Sequence, residues 1–191
     1  MPRKPDPTLK PAILEKVTLH LLDTKLEDVS VRSLGRILGT SAYPIVYHFG
    51  SRDALIDSVV VHLADTVCHA ALDPAADRSA LADYLMTSFG RLDDPHRALA
   101  ARLTFELGSV EAMDGRVRQR GLHRDHVAAV AAWCLAHGYD SEAAERVARD
   151  AVTTARGAQW TAIVDRERAD TDAALRAIAD RLAAGAEVTA A

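Results

Sequence analysis

The sequence predicts an all-α protein in which a small three-helix head, laid out as a helix-turn-helix, is fused to a larger helical body. Three observations carry this. Ser30, Ser41 and Ser51 stand at helix-capping positions within about twenty residues. From residue 52 onward the chain runs in Ala-rich stretches whose apolar residues recur at helical spacing. The apolar-polar alternation of a half-buried strand is not found.

The elements follow in chain order. The hydroxyl of Ser30 can accept from the free backbone N–H groups of the turn after it, which makes it a candidate N-cap. Val29 and Leu34 flank it at the spacing of a hydrophobic staple. Leu34, Ile37 and Leu38 give this helix one apolar face, and Gly39 can take the left-handed conformation that ends it. Ser41 then caps a short helix running to about His48, and Pro44 is tolerated because N–H groups of a first turn have no intrahelical acceptor. Ile45 and Phe49 point to the core, Gly50 breaks the chain, and Ser51 caps a longer helix from Arg52. Body helices are expected over about 52–70, 79–91, 95–108, 116–137, 141–166 and 171–184. The breaks fall at Asp73-Pro74, Asp94-Pro95, Gly108, Gly138 and Asp170.

Residues 10–60 resemble the DNA-binding domain of the tetracycline-repressor (TetR) family of bacterial transcriptional regulators. The match rests on Gly39-Thr40-Ser41 and on Tyr47-His48-Phe49-Gly50-Ser51-Arg52-Asp53-Ala54-Leu55, which is similar to the family's turn, its Tyr/His/Phe element and the start of its fourth helix. Two positions depart from the pattern. Pro44 lies where a small or flexible residue is frequent, and Val46 lies where many members carry a phosphate-contacting Tyr. The division this suggests is a basic arm over 1–9, a helix-turn-helix domain over 10–56, and a ligand-binding and dimerisation body over 57–191.

Composition agrees with this reading without requiring it. The chain of 191 residues, 49% hydrophobic, can bury one sizeable core or a small head and a larger body. No apolar run reaches the roughly 18 residues of a membrane span, and MPRKPDPTLK lacks a signal peptide's apolar stretch, so a soluble cytoplasmic protein is expected. Cys68 and Cys134 are far apart and outside any metal-type pairing, which argues against a disulfide framework and for a reducing compartment. The net charge of -4 is unevenly spread. Residues 1–57 hold eight Lys and Arg against seven Asp and Glu, and residues 58–191 hold fifteen against twenty, so the head is the less acidic part.

In the head, Thr40, Ser41, Ala42, Tyr43, Tyr47 and His48 fall at the start and outer face of the short helix that would meet base edges, with Tyr43 the first candidate for base contact. Arg32, Thr40, Tyr47 and Arg52 are candidates for phosphate contact, together with Lys10 and the arm residues Arg3 and Lys4. The competing reading is that these are ordinary solvated groups.

For the body, the resemblance implies a small-molecule pocket between helices four to seven and a homodimer made by the last two long helices. Candidate pocket walls are Met86, Phe89, Phe105, Trp133 and Trp160, with His62, Cys68, His69, Glu106, His126 and Gln159 as polar anchors. Such residues at helical spacing are more often plain core. Two apolar stripes suit a four-helix interface across a twofold axis. One contains Ala144, Val147, Ala148, Ala151, Val152, Ala155, Gln159, Ala162 and Ile163, the other Leu175, Ile178, Ala179 and Leu182. Burial of both stripes within one chain is the alternative, because periodicity does not separate the two. His62, Asp65 and His69, or His123 and His126, can in principle gather a metal, but lone helical His pairs are usually solvated, so no metal and no cofactor is expected.

An enzyme fits worst, since nucleophile elbow, phosphate-cradling glycine loop and HExxH are all missing. The function expected is a repressor that binds a palindromic double-stranded DNA operator as a homodimer. A small-molecule effector of unknown identity releases it by shifting the fourth helix and with it the spacing of the heads. The alternative is a DNA-binding regulator with no small-molecule input.

Overall fold

The computed structural model describes residues 8–39, 41, 43–67, 70–167 and 169–189, with side chains described up to 186. The described residues outside turns and loops are helical: α1 (Leu9–Leu22), α2 (Val31–Ile37), α3 (Tyr43–Phe49), α4 (Arg52–Thr66), α5 (Arg78–Phe89), α6 (Pro95–Met113), α7 (Arg118–Ala136), α8 (Ser141–Val164) and α9 (Thr171–Thr189), with a 3-10 turn at Leu26–Asp28. They form two compact units, residues 1–66 and 67–191.

The first unit is built by its caps. Ser30 Oγ accepts from the Ser33 N–H at 3.0 Å, and Ser33 Oγ accepts from the Ser30 N–H at 2.8 Å, a reciprocal capping box at the start of α2. Gly39, at φ +67, ends that helix as the sequence suggests. Ser41 Oγ accepts from the Tyr43 N–H at 3.3 Å, and Ser51 Oγ accepts from the Ala54 N–H at 3.0 Å. Ile13, Val17 and Leu21 of α1 meet Leu34 of α2, Ile45 of α3 and the stripe Leu55, Ile56, Val59, Leu63 of α4 in one buried core. Because that stripe faces α1 and α3, α4 packs within the first unit.

The second unit is a helical bundle in which α7 with α8, α5 with α9, and α8 with α9 make the most extensive pairings. Leu81, Leu85 and Phe89 of α5, Val130 and Trp133 of α7, Val152 of α8, and Leu175 and Ile178 of α9 fill its centre. Ala144, Ala148, Ala151 and Ala155 keep one face of α8 small, which lets its neighbours approach closely. Trp133 donates Nε1–H to the Ala76 carbonyl at 2.8 Å and stacks on His137 with ring centroids 3.9 Å apart. Asp77, Asp94, Asp140 and Asp170 each accept backbone N–H groups at or near helix starts.

Three helix ends differ clearly from expectation, one of them that of α9, which runs to Thr189 rather than to 184. α6 runs through Gly108 to Met113, and the break comes at Asp114 and Gly115, the latter at φ +71. One helical glycine costs about 1 kcal/mol relative to alanine, and the buried faces of Leu99, Leu103 and Leu107 outweigh it. α4 stops at Thr66, short of the residue 70 suggested by its pattern. Near the end of α6, the nearly fully buried Glu111 accepts the Gln119 N–H at the start of α7 at 2.9 Å and pairs with Arg118. Burial disfavours its charge, but these donors prevail and hold its carboxyl below the usual range. No helix of the described residues is long and apolar enough to cross a membrane.

Candidate nucleic-acid interface

α2, the Gly39 turn and α3 form a helix-turn-helix whose second helix is only seven residues long. Ile45 is the buried residue of α3 and anchors it in the head core. With Ile45 turned inward, Tyr43, Val46 and Tyr47 stand outward at 68%, 52% and 57% exposure. The two tyrosine rings stack on each other, centroids 5.7 Å apart and planes 25° from parallel, as i,i+4 neighbours on a helix allow. Tyr47 also meets His48 edge to face at 5.0 Å. The second helix therefore presents a flat aromatic surface with two phenol hydroxyls.

The other predicted contact residues divide. Ser41 and Arg32 are exposed, and Thr40, Ala42, Arg3 and Lys4 lie outside the described residues. Lys10 Nζ sits 5.4 Å from the centre of the Phe49 ring at the end of α3. Arg52 is committed to the protein itself. Its Nε donates to the Val29 carbonyl at 2.6 Å, its Nη2 to the Leu26 carbonyl at 2.5 Å, and its Nη1 pairs with Asp53 at 2.9 Å. It fastens the start of α4 to the chain entering α2, and most of its donors are spent there. Arg36 was not singled out by the sequence, although it is exposed and lies four residues after Arg32, hence on the same face of α2. That spacing was the available signal.

The predicted pocket residues differ in burial and surroundings. Phe89, Trp133, Gln159 and Met86 belong to the packed interior, while Trp160 is half exposed and meets Phe105 edge to face at 5.3 Å. Glu106 lies 3.4 Å from Arg102 on the same face of α6, and His62 belongs to α4 in the first unit. What does assemble is a polar cluster between α5, α7 and α8. Tyr84 Oη and His126 Nδ1 are 2.8 Å apart, Phe89 lies 4.7 Å from the His126 ring, Arg156 covers the Phe89 ring at 4.9 Å, and Arg156 Nη1 donates to Gln159 Oε1 at 2.8 Å. Burial, reinforced by Arg156 and His123, pushes the His126 pKa down to about 4, and burial pushes Tyr84 up to about 12. Both are neutral near pH 7. Tyr84 was missed because one tyrosine at core spacing has no distinguishing pattern.

The two stripes expected at a dimer interface are largely closed within the chain. Val152, Ala155 and Leu175 are fully buried against their own chain, so they have no surface left for a second one. Ala151, Ile178 and Leu182 form, with the half-buried Val147, the floor of a shallow groove of about 250 Å³ between α8 and α9, edged by Asp150, Thr154 and Arg181. Ile163 remains exposed beside Trp160 and Val164 near the end of α8. Cys134 is buried, and burial raises its thiol to about 11, which leaves little thiolate for redox chemistry. Cys68 and His69 lie outside the described residues, and among those described no group of three or more His, Cys, Asp or Glu is placed to hold a metal ion.

No family model matches the sequence, and no curated protein matches it. Solved structures do match the fold. A structure described as a TetR-family transcriptional regulator from Rhodococcus sp. superimposes with a TM-score of 0.64 at 17% identity, over 95% of this chain and 98% of that one. A TetR transcriptional regulator from Legionella pneumophila gives the same score and coverage at 14% identity. The head and helical body described above are thus the fold of TetR-family regulators.

Proposed function

We propose that this chain is a DNA-binding transcriptional regulator of the TetR type, acting as a homodimeric repressor on a palindromic operator. One observation above all supports this: the second helix of a helix-turn-helix, within that fold, holds Tyr43, Val46 and Tyr47 in solvent. In such motifs the second helix enters the major groove and the first crosses the backbone. α3 then meets base edges, while Arg32 and Arg36 on α2 meet phosphates. Arg52 acts at one remove, by holding α4 and α2 in register.

A single seven-residue helix reads few base pairs, so two heads on a twofold axis are needed to read a palindrome. For the dimer, the outer faces of α8 and α9 are the surface to test. They carry the groove floored by Ala151 and Ile178. An effector that loosens DNA must favour the spacing of heads that DNA does not accept. The Tyr84–His126–Gln159 cluster offers it both donors and acceptors. The second reading is a regulator with no small-molecule input, in which the buried Phe89, Trp133 and Gln159 serve packing alone.

The test is a fluorescence-anisotropy titration of the full chain against DNA from upstream of its own gene, at two salt concentrations, beside a scrambled duplex. Tight binding to the first duplex alone, with two chains per duplex, is expected. Equal and strongly salt-dependent binding to both would leave only phosphate attraction at that site. Compounds that bind the body are then screened for loss of operator affinity. A body ligand that leaves operator affinity unchanged speaks for the second reading.

A further inference from the structure

We infer that α3 reads its half-site through the 5-methyl groups of pyrimidines, thymine above all, and not through the hydrogen-bonding edge of guanine. This rests on the reading of the chain as an operator-binding protein and specifies what its operator must contain.

Neither α3 nor the turn before it, residues 38–49, contains Arg, Lys, Asn or Gln. The bidentate pairs that single out guanine or adenine in the major groove need those side chains. What α3 does hold outward is mostly apolar: a stacked pair of tyrosine rings, polar only at their hydroxyls, with the exposed Val46 methyls on the same helix. The only major-groove group that such a surface recognises by contact is the methyl at pyrimidine C5. The spacing fits a pair of them. The ring centroids are 5.7 Å apart, and successive bases of one strand rise about 3.4 Å, so the two rings address methyls one to two base steps apart. The surface is also stiff, since Pro44 fixes the backbone beside Tyr43 and Ile45 anchors the helix beneath it.

The experiment starts from a random duplex library selected on the full chain. The half-site recovered should hold thymines at two positions within about two base steps of each other. Replacing those thymines by deoxyuridine removes the methyl and leaves every hydrogen-bonding group in place. Affinity should then fall roughly fourfold per methyl and about fifteenfold for two, as expected for withdrawing a methyl-sized contact from burial. The paired variant Tyr43→Ala with Tyr47→Ala, which removes both rings, should lose most of the discrimination between thymine and uracil duplexes, whereas Tyr43→Phe keeps it. Both substitutions are on exposed positions, and unchanged helical circular dichroism verifies the fold. A selected site bound equally well with thymine and with uracil, yet preferred over scrambled DNA, overturns the methyl readout and leaves the operator-binding reading standing. Failure to enrich any sequence overturns both.

Discussion

In the first unit Tyr43, Val46 and Tyr47 stand in solvent on a helix whose one buried side chain is Ile45, whereas in the second unit Phe89, Trp133 and Tyr84 are sealed in the interior with their polar atoms partnered. The same residue types thus serve opposite ends. Buried, an aromatic contributes area and an edge-to-face or stacked contact to stability. Exposed on a short helix, it adds little to stability and is free to contact something else. The head's charged groups divide likewise, with Arg52 spent on backbone carbonyls and Arg32 and Arg36 left on the surface.

The largest effect that tests this contrast is Trp133→Ala. It removes the stack on His137, leaves the Ala76 carbonyl without its donor, and opens a cavity. A loss of about 3–5 kcal/mol is expected in chemical denaturation, while Tyr43→Ala, equally aromatic, should change stability by less than about 0.5 kcal/mol. Similar losses for the two would break the contrast.

Acid should weaken the second unit through His126. Its folded pKa, about 4, lies below the usual 6.5, so the unfolded chain binds the proton more readily. Stability is therefore full above pH 6.5 and is lost as the pH falls toward 4, by on the order of 3 kcal/mol. Denaturation midpoints measured between pH 4 and 7 should show the slope, and His126→Asn should flatten it. A slope that survives the substitution assigns it to another group.

Arg52→Ala should destabilise the head by about 1.5–3 kcal/mol, as expected for charge-assisted hydrogen bonds to carbonyls. Arg32→Ala should leave the melting temperature unchanged while lowering the salt slope of DNA binding by about one. The reverse assignment of stability and salt slope would exchange their roles.

A smaller destabilisation is expected at Gly185, where a Cβ would lie 1.9 Å from the Tyr139 hydroxyl, which donates to the Leu182 carbonyl at 2.8 Å. Gly185→Ala should displace that hydroxyl at a cost of about 1 kcal/mol, and pairing it with Tyr139→Phe should remove most of the penalty. Full additivity of the two would show that they do not act on one another.

What the sequence determined by itself is local. Ser30, Gly39, Ser41 and Ser51 make hydrogen bonds or backbone turns that close within a few residues, and the structure finds them where the sequence placed them. The helical class of the body was equally legible, because apolar spacing repeats within each helix. Gly108 misled for the converse reason. Whether a glycine ends a helix depends on what packs beside it, and Leu103 and Leu107 hold α6 together across that point. Tertiary structure alone decided the partners of the long-range groups. Arg52 reaches the carbonyls of Leu26 and Val29, and Tyr84 meets His126 from another helix, in pairings that no spacing along the chain encodes. It also decided that Val152, Ala155 and Leu175 close on their own chain. A periodic stripe states that a helix face will be buried, and only the packing of the whole chain states against what.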